Sequence, residues 1–189
     1  MRSHRAALLV PLALAACQTA QPGVRGENAP STTRIAGGTA NSQVLYEFTT
    51  RADTRVVADA VPAPADRVWR VLPAVYQELG LAVTRADEDH RLLGSQQAVP
   101  RTKRILGMRM SELLQCGRTP LGLPAADAYD VTLIVATDVL TAGRESSTIR
   151  SVVEGRARDP VSSSTPANCT STGKLERAIA DDAVLRTRG

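Results

Sequence analysis

Alternating apolar and polar residues in the second half of the chain predict two long β-strands. In YDVTLIVATDVL, residues 129–140, apolar side chains at every second position share one face, whereas Asp130, Thr132 and Asp138 share the other. The run STIRSVVEGRAR, residues 147–158, alternates in the same way and follows after a short turn. One apolar face and one polar face are typical of an antiparallel sheet that is covered by helices on a single side.

Further strands are predicted in the first half of the chain. QVLYEFTT (43–50) alternates over its length, and TRVVADAV (54–61) follows closely, so the two indicate a pair of adjacent strands. LAVTRADEDHRLLGSQQAV (81–99) predicts two more strands, joined by a charged turn at 87–90. The cluster of acids and imidazole in this turn also resembles a catalytic group, but a turn between strands explains the same residues without chemistry.

Two helices complete the predicted fold. Apolar residues at helical spacing predict a helix over 64–79, with Pro73 in its interior as the expected cause of a kink. A second helix is predicted over 173–185, and RTPLGLPAAD (118–127) is predicted to be a loop. We therefore expect one α+β domain over 42–189, with a mostly antiparallel sheet of about five or six strands and both helices on one face.

The N-terminus has the pattern of an export signal. Arg2 and Arg5 precede an apolar run over 6–16, which is too short to span a bilayer. The run ends in Leu, Ala, Ala and Cys17, which resemble the lipobox of bacterial lipoproteins. This resemblance implies cleavage before Cys17, a diacylglycerol on its sulfur, and anchorage to a membrane through that lipid. Because the residue after the cysteine is Gln18 and not aspartate, the resemblance points to the periplasmic face of the outer membrane.

The lipobox divides the chain into three parts. Residues 1–16 would be the signal peptide, 17–41 a lipidated and flexible tether, and 42–189 the folded domain. The tether is predicted from a composition of Gly, Pro, Ser, Thr, Asn and Ala, which cannot bury enough apolar surface to fold. The alternative is an ordinary signal peptide that is cut at a nearby small residue, which would leave Cys17 unmodified.

The three cysteines fit an exported protein if Cys17 is lipidated. The remaining pair is then Cys116, at the end of a short helix predicted over 110–117, and Cys169, in a predicted Ser, Thr and Pro loop. We expect them to form a disulfide in an oxidising compartment. Free thiols or a metal pair are the alternatives, but neither cysteine has a second Cys or a His at ligand spacing.

Charge and composition argue against nucleic acid as a partner. Removing Arg2 and Arg5 with the signal leaves only two more basic than acidic residues, and the whole chain has one Trp, three Tyr and one Phe. Such a chain offers little charge or aromatic surface for nucleotides. The sequence contains no nucleophile elbow, zinc-binding helix, dinucleotide loop or phosphate loop, so we expect no cofactor and no catalytic residue.

The run RTKRILGMRM, residues 101–110, is the candidate contact surface. It combines four cations with four large apolar side chains, a combination that suits a partner protein or an anionic headgroup surface. A solvated edge or loop with protective charges explains the same run without function. The cations are Arg101, Lys103, Arg104 and Arg109.

The segment VPAPADRVWRVLPAVYQELGLAVTRADEDHRLLGS is similar to the α+β repeats of the lipoprotein C component of the outer-membrane β-barrel assembly machinery, because a Trp-bearing helix leads into a strand pair. This resemblance implies an α+β repeat and transfers no functional residue. The favoured function is a non-catalytic envelope domain that binds or scaffolds a protein. A carrier for a small apolar or amphipathic ligand is the second hypothesis, and a hydrolase the third.

Overall fold

The computed structural model describes residues 56–161 and 165–189. Within these ranges, four helices and seven strands form an α+β domain, which confirms the predicted fold class. All strand pairs are antiparallel, and the sheet order is β2-β3-β5-β6-β7-β4, with β1 also paired to β6. The elements are β1 (Val56–Val61), α1 (Ala65–Glu78), β2 (Arg85–Asp87), β3 (Leu92–Val99), α2 (Met110–Leu113), β4 (Leu114–Gln115), α3 (Ala125–Ala128), β5 (Asp130–Thr141), β6 (Ser147–Arg158), β7 (Ala167–Ser171) and α4 (Lys174–Arg188).

The centre of the sheet is the hairpin of β5 and β6, the two long strands that alternation predicts. They pair over their whole length, from Asp130 opposite Arg158 to Thr141 opposite Ser147. The outer edge of β6 is divided between two partners. β1 pairs with residues 147–152 of β6, and β7 pairs with residues 154–157.

Helices α1 and α4 cover one face of the sheet and close the core. In α1, Val68, Leu72 and Val75 are fully buried, and the helix includes Pro73. In α4, Leu175 and Ile179 are fully buried in the same apolar cluster as the inward side chains of the central strands. None of the helices in the described ranges is long and apolar enough to cross a bilayer.

A short chain of polar groups crosses the helix–sheet interface. The hydroxyl of Tyr76 lies 2.9 Å from Thr137 Oγ1, which lies 2.9 Å from Ser151 Oγ, and all three residues are almost completely buried. The Tyr76 hydroxyl also approaches the carbonyl oxygen of Leu93 at 3.3 Å. Because each of these three hydroxyls has a partner, the network joins α1 to the sheet without the penalty of unpaired polar atoms within it.

Cys116 and Cys169 form a disulfide, as the cysteine count predicts. Their Cα atoms are 4.1 Å apart, well inside the limit of about 7 Å for a disulfide. The register of β4 against β7 places Cys116 directly opposite Cys169. Gly155 of β6 makes room for this pair, since a Cβ there would lie 3.2 Å from Cys169 Cβ and 2.5 Å from Leu114 Cδ1.

Three local predictions are wrong. The helix predicted over 110–117 ends at Leu113, because the chain then extends as β4 to pair with β7. The loop predicted around Cys169 is strand β7, and the loop predicted over 118–127 ends in helix α3.

The polar face of the sheet is also drier than predicted. Leu92, Ala136 and Val152 form a small buried cluster there, beside the buried carboxylate of Asp138 and its partner Arg150.

Several predictions concern residues outside the described ranges. They are the signal peptide over 1–16, the lipidated Cys17 with its tether over 17–41, and the strand over 43–50.

Candidate functional site

The candidate contact surface lies at one end of the sheet, which we call the loop end. Here β3 finishes at Val99, opposite Val131, and β5 begins at Asp130, opposite Arg158. Three irregular segments of the chain lie at this end, and we define the loop end as residues 100–109, 117–124 and 159–161. The predicted contact run falls within it, apart from its last residue.

The structure separates the predicted contact run into exposed and buried parts. Its four cations, Arg101, Lys103, Arg104 and Arg109, are all exposed, as a contact surface requires. The apolar half of the prediction is wrong, because Ile105 and Met110 are 1% and 2% exposed and belong to the core. Of the four large apolar side chains, only Leu106 is exposed, at 38%.

Leu106 lies at the tip of a tight turn in an unfavourable backbone conformation. Ile105 and Met108 exchange both backbone hydrogen bonds, at 2.9 and 3.3 Å, and Leu106 and Gly107 between them have φ of 57° and 71°. Positive φ at both central residues is the pattern of a type I′ turn, which favours Asn or Gly. A leucine in this region costs on the order of 1–2 kcal/mol, so the sequence keeps an exposed apolar side chain where backbone preference alone favours another residue.

The segment 117–124 provides a second apolar tip, which the sequence pattern does not predict. Leu121 and Leu123 are 87% and 55% exposed. The loop that carries them is internally bonded: the Thr119 amide donates to the Leu123 carbonyl at 2.9 Å, and the Gly122 amide donates to the Thr119 carbonyl at 2.8 Å. The Arg118 guanidinium donates to the Gly122 carbonyl at 2.6 Å. The two leucines are therefore presented on a loop with a defined shape.

Exposed large apolar side chains are concentrated at the loop end. Four of the eight that the described residues contain lie there, on three different segments, whereas the other four are distributed over the rest of the fold. Those at the loop end are Leu106, Leu121, Leu123 and Val161. Those elsewhere are Val56, Val83, Leu140 and Leu185.

An open cleft of about 460 Å³ lies next to the second apolar tip. Strand β4 and the residues that follow it form one wall, and the starts of α2 and α3 contribute the rest. Arg118 is the one charged residue among those that line it. The lining residues are Ser111, Leu114, Gln115, Cys116, Gly117, Arg118, Pro124 and Ala126.

The charged turn over 87–90 joins two strands, as its sequence predicts. Asp87 ends β2, and its carboxylate accepts the His90 backbone amide at 3.1 Å and contacts His90 Nδ1 at 2.9 Å. These bonds close the turn that leads into β3.

The ion pair between Arg150 and Asp138 is a second charged feature of the sheet. The Arg150 guanidinium donates two hydrogen bonds to the Asp138 carboxylate. This hydrogen bonding raises the pKa of Arg150 above its ordinary value, so the side chain stays charged. Within 56–161 and 165–189, no group of three or more potential ligands could hold a metal ion.

Comparisons with known proteins add no functional assignment. No protein-family model matches the sequence, and no curated protein matches it. Among solved structures, the chain is similar to norcoclaurine synthase from Thalictrum flavum in complex with a transition-state analogue, at 15% identity, covering 71% of this chain and 94% of that one, with a TM-score of 0.36. A TBP-like protein from Parabacteroides distasonis matches at 11% identity over 71% and 85% of the two chains, with a TM-score of 0.33. At these TM-scores, neither similarity supports an inference about function.

Proposed function

We propose that this chain is a lipid-anchored, non-catalytic domain of the bacterial envelope that binds another protein through its loop end. The observation that carries the proposal is the concentration of Leu106, Leu121 and Leu123 at one end of the sheet, on two hydrogen-bonded tips. Apolar side chains on preordered loops lose little conformational entropy on binding. Their contribution to the binding free energy is largest when a partner excludes water from them.

The backbone cost at Leu106 supports the same proposal. An exposed leucine in a turn that favours Asn or Gly does not serve the stability of the domain. A residue that is unfavourable for its local backbone conformation and adds no stability elsewhere is expected at a functional site. The neighbouring cations Arg101, Lys103 and Arg104 add charge around this apolar tip, which suits a partner surface with an excess of acidic residues.

The filled core favours contact over the carrier hypothesis. A carrier would need a cavity between α1 and the sheet, but Leu72, Val75 and Tyr76 of α1 are fully buried there. The Tyr76 hydroxyl reaches across the interface to Thr137, so α1 and the sheet are in direct contact at this point. The cleft at the loop end is open to solvent and does not enclose a small molecule.

The anchor in this proposal is the lipid on Cys17, for which the lipobox resemblance is the support. Two or three acyl chains would hold the chain stably at the membrane, whereas a single chain binds only reversibly. Confinement to one surface raises the effective concentration of domain and partner, so a small apolar contact is sufficient for association.

Site-specific photocrosslinking in living cells tests the proposal. A photoreactive amino acid is placed at position 121 or 106, and at position 185 as a control, because Leu185 is also an exposed leucine, at 65%, but lies on α4. We expect a discrete protein adduct from positions 121 and 106 and none from position 185. The absence of a protein adduct from both loop-end positions, or equal adducts from all three, would contradict the proposal.

Charge reversal tests the contribution of the cations. Changing Arg101, Lys103 and Arg104 together to Glu should weaken the crosslinked association, and more at low salt than at high salt, because exposed charges are screened. Folding should hardly change, since these side chains are exposed. An association that is unchanged at low salt would exclude these three cations from the contact.

A further inference from the structure

Strand β1 joins the sheet at the middle of the outer edge of β6. Val56, its first residue, lies opposite Val152 of β6. Val61, its last residue, lies opposite Ser147, where β6 begins. The next stretch of the same edge, residues 154–157, pairs with β7. The chain before Val56 therefore cannot continue along β6 and has to turn away from this edge.

The other edge of β1 has no strand beside it in the part of the chain that the structure describes, where β1 pairs with β6 alone. Val56, Ala58 and Ala60 are exposed, and Val57 and Asp59 are half-buried, so this edge is open to a further strand. An uncovered edge presents unpaired N–H and C=O groups that favour aggregation, and folded proteins cover or protect such edges.

The exposed side chains of β1 border an apolar patch on the sheet face opposite α1 and α4. Directly opposite residues of an antiparallel pair lie on the same face, so Val56 and Ala58 share the face of Val152 and Arg150. Val152 is fully buried there, in a cluster that consists of strand residues only. The small side chains of Ala58 and Ala60 leave room over β1 for larger ones from a neighbouring strand.

The segment 43–50 has the pattern and the position to occupy this edge. It lies outside the described ranges, and its alternation predicts a strand with Val44, Tyr46 and Phe48 on one face. Residues 51–55 separate it from β1, which suits a hairpin loop of about two to five residues. Because the segment is attached to β1 by a short linker, its effective concentration at this edge is on the order of millimolar or higher.

We propose that residues 43–50 pair with the open edge of β1, antiparallel to it, and that the lipid tether consequently leaves the domain at the end of the sheet opposite the loop end. In such a hairpin, Gln43 lies near Val61, at the level where β6 begins. β6 ends beside the loop end, at Arg158. This inference rests on the proposed function, because it gives a direction to the lipid anchor and to the contact surface.

The dimensions of the sheet and the tether give this direction a consequence for binding. β6 has 12 residues, and at about 3.4 Å per residue it spans about 40 Å. Residues 17–42 would form the tether, and a flexible chain of that length has an r.m.s. end-to-end distance of about 25–30 Å. The tether is therefore shorter on average than the sheet. The loop end then presents its leucines to a part of the partner above the membrane surface, and not to the lipid headgroups.

Amide hydrogen exchange, measured by NMR on the full mature chain in nanodiscs, tests the added strand. Every second amide of β1 points away from β6. These outward amides should exchange at least about tenfold more slowly in the parent than in the variant Tyr46→Pro with Glu47→Pro. Two consecutive prolines remove a backbone donor on each edge of a strand, so they disrupt pairing in either register.

A matched variant controls for the prolines themselves. Thr32→Pro with Thr33→Pro lies in the tether and should leave exchange in β1 unchanged. The amides of β5, at the centre of the sheet, should stay protected in all three chains, which separates loss of the added strand from unfolding. Outward amides of β1 that exchange rapidly in the parent, or equally slowly in the Tyr46 and Glu47 variant, overturn the proposal.

A paramagnetic lipid headgroup in the same nanodiscs tests the direction. Gly143 lies in the turn between β5 and β6, at the end of the sheet where the tether should leave. Its amide signal should lose intensity, whereas that of Leu121 at the loop end should keep it. Equal loss at both positions, or a greater loss at Leu121, overturns the proposed direction.

The added strand and the contact function can fail separately. If position 121 still crosslinks to a protein while the outward amides of β1 exchange rapidly, the added strand is wrong and the contact function stands. If the outward amides are protected and Gly143 lies near the membrane, but positions 121 and 106 give no protein adduct, the contact function is wrong and the added strand stands.

Discussion

Removal of the disulfide should destabilise the domain by an amount that its loop length fixes. Cys116 and Cys169 are separated by 53 positions, and closing a loop of that size restricts the unfolded chain by about 4 kcal/mol in the chain-entropy estimate. Replacing both cysteines by alanine should therefore lower the free energy of unfolding by about 4 kcal/mol. For a domain of this size, that loss lowers the melting temperature by about 10–15 °C.

Urea unfolding followed by circular dichroism gives the measurement, and the parent chain in reductant provides the control. Reduction breaks the crosslink but keeps both sulfur atoms, so its effect on the parent separates the crosslink from the packing of two buried side chains. The double variant should be insensitive to reductant. A reduced parent that unfolds within about 1 kcal/mol of the oxidised one would refute the reasoning, because the crosslink would then not restrict the unfolded chain.

The remaining predictions concern the anchor and the core. Cys17→Ser should release the chain from membranes and remove its lipid, whereas intact mass showing an unmodified parent Cys17 would contradict the lipobox assignment. Gly155→Ala should lower the free energy of unfolding, measured in urea, by about 1–3 kcal/mol, because the new Cβ would clash with Leu114. An unchanged midpoint would show that the Leu114 side chain moves away from the new Cβ without an energetic penalty. Tyr76→Phe should lower the free energy of unfolding by about 1 kcal/mol in the same assay, since it removes a buried hydrogen bond to Thr137. An unchanged free energy of unfolding would argue against that bond.

The elements that could be predicted are those with strong local patterns. β5 and β6 have long alternation, and the predicted run 147–158 coincides with β6. α1 has apolar residues at helical spacing, and the predicted 64–79 differs from the helix by one residue at each end. In these segments, the local preference and the tertiary environment favour the same structure.

The elements that could not be predicted depend on contacts distant in sequence. β7, ANCTS, has no large apolar side chain, and it is a strand because β6 and β4 pair with its two edges. β4 is extended because it pairs with β7, although its residues continue a pattern typical of a helix. Local propensity is weaker than such pairing in short segments.

The sequence predicts the exposed charged residues of the candidate site but not its exposed apolar residues. Arg101, Lys103 and Arg104 are exposed, as their ionised side chains require. The sequence does not distinguish the buried Ile105 from the exposed Leu106, because the run has no periodicity that assigns a face. Leu121 has no pattern around it either, and its exposure follows from the hydrogen bonds of a loop that the fold positions.

The central claim is that the loop end holds a protein partner through its exposed leucines. Its most direct test is the amount of the partner, identified by crosslinking, that co-purifies with full-length chains carrying Leu121→Ser with Leu123→Ser, or Leu185→Ser as the control. We predict that the double variant loses binding by about tenfold or more, as expected for apolar anchors at an interface centre, while the control binds like the parent. Parental binding by the double variant, or an equal loss in the control, would contradict the claim.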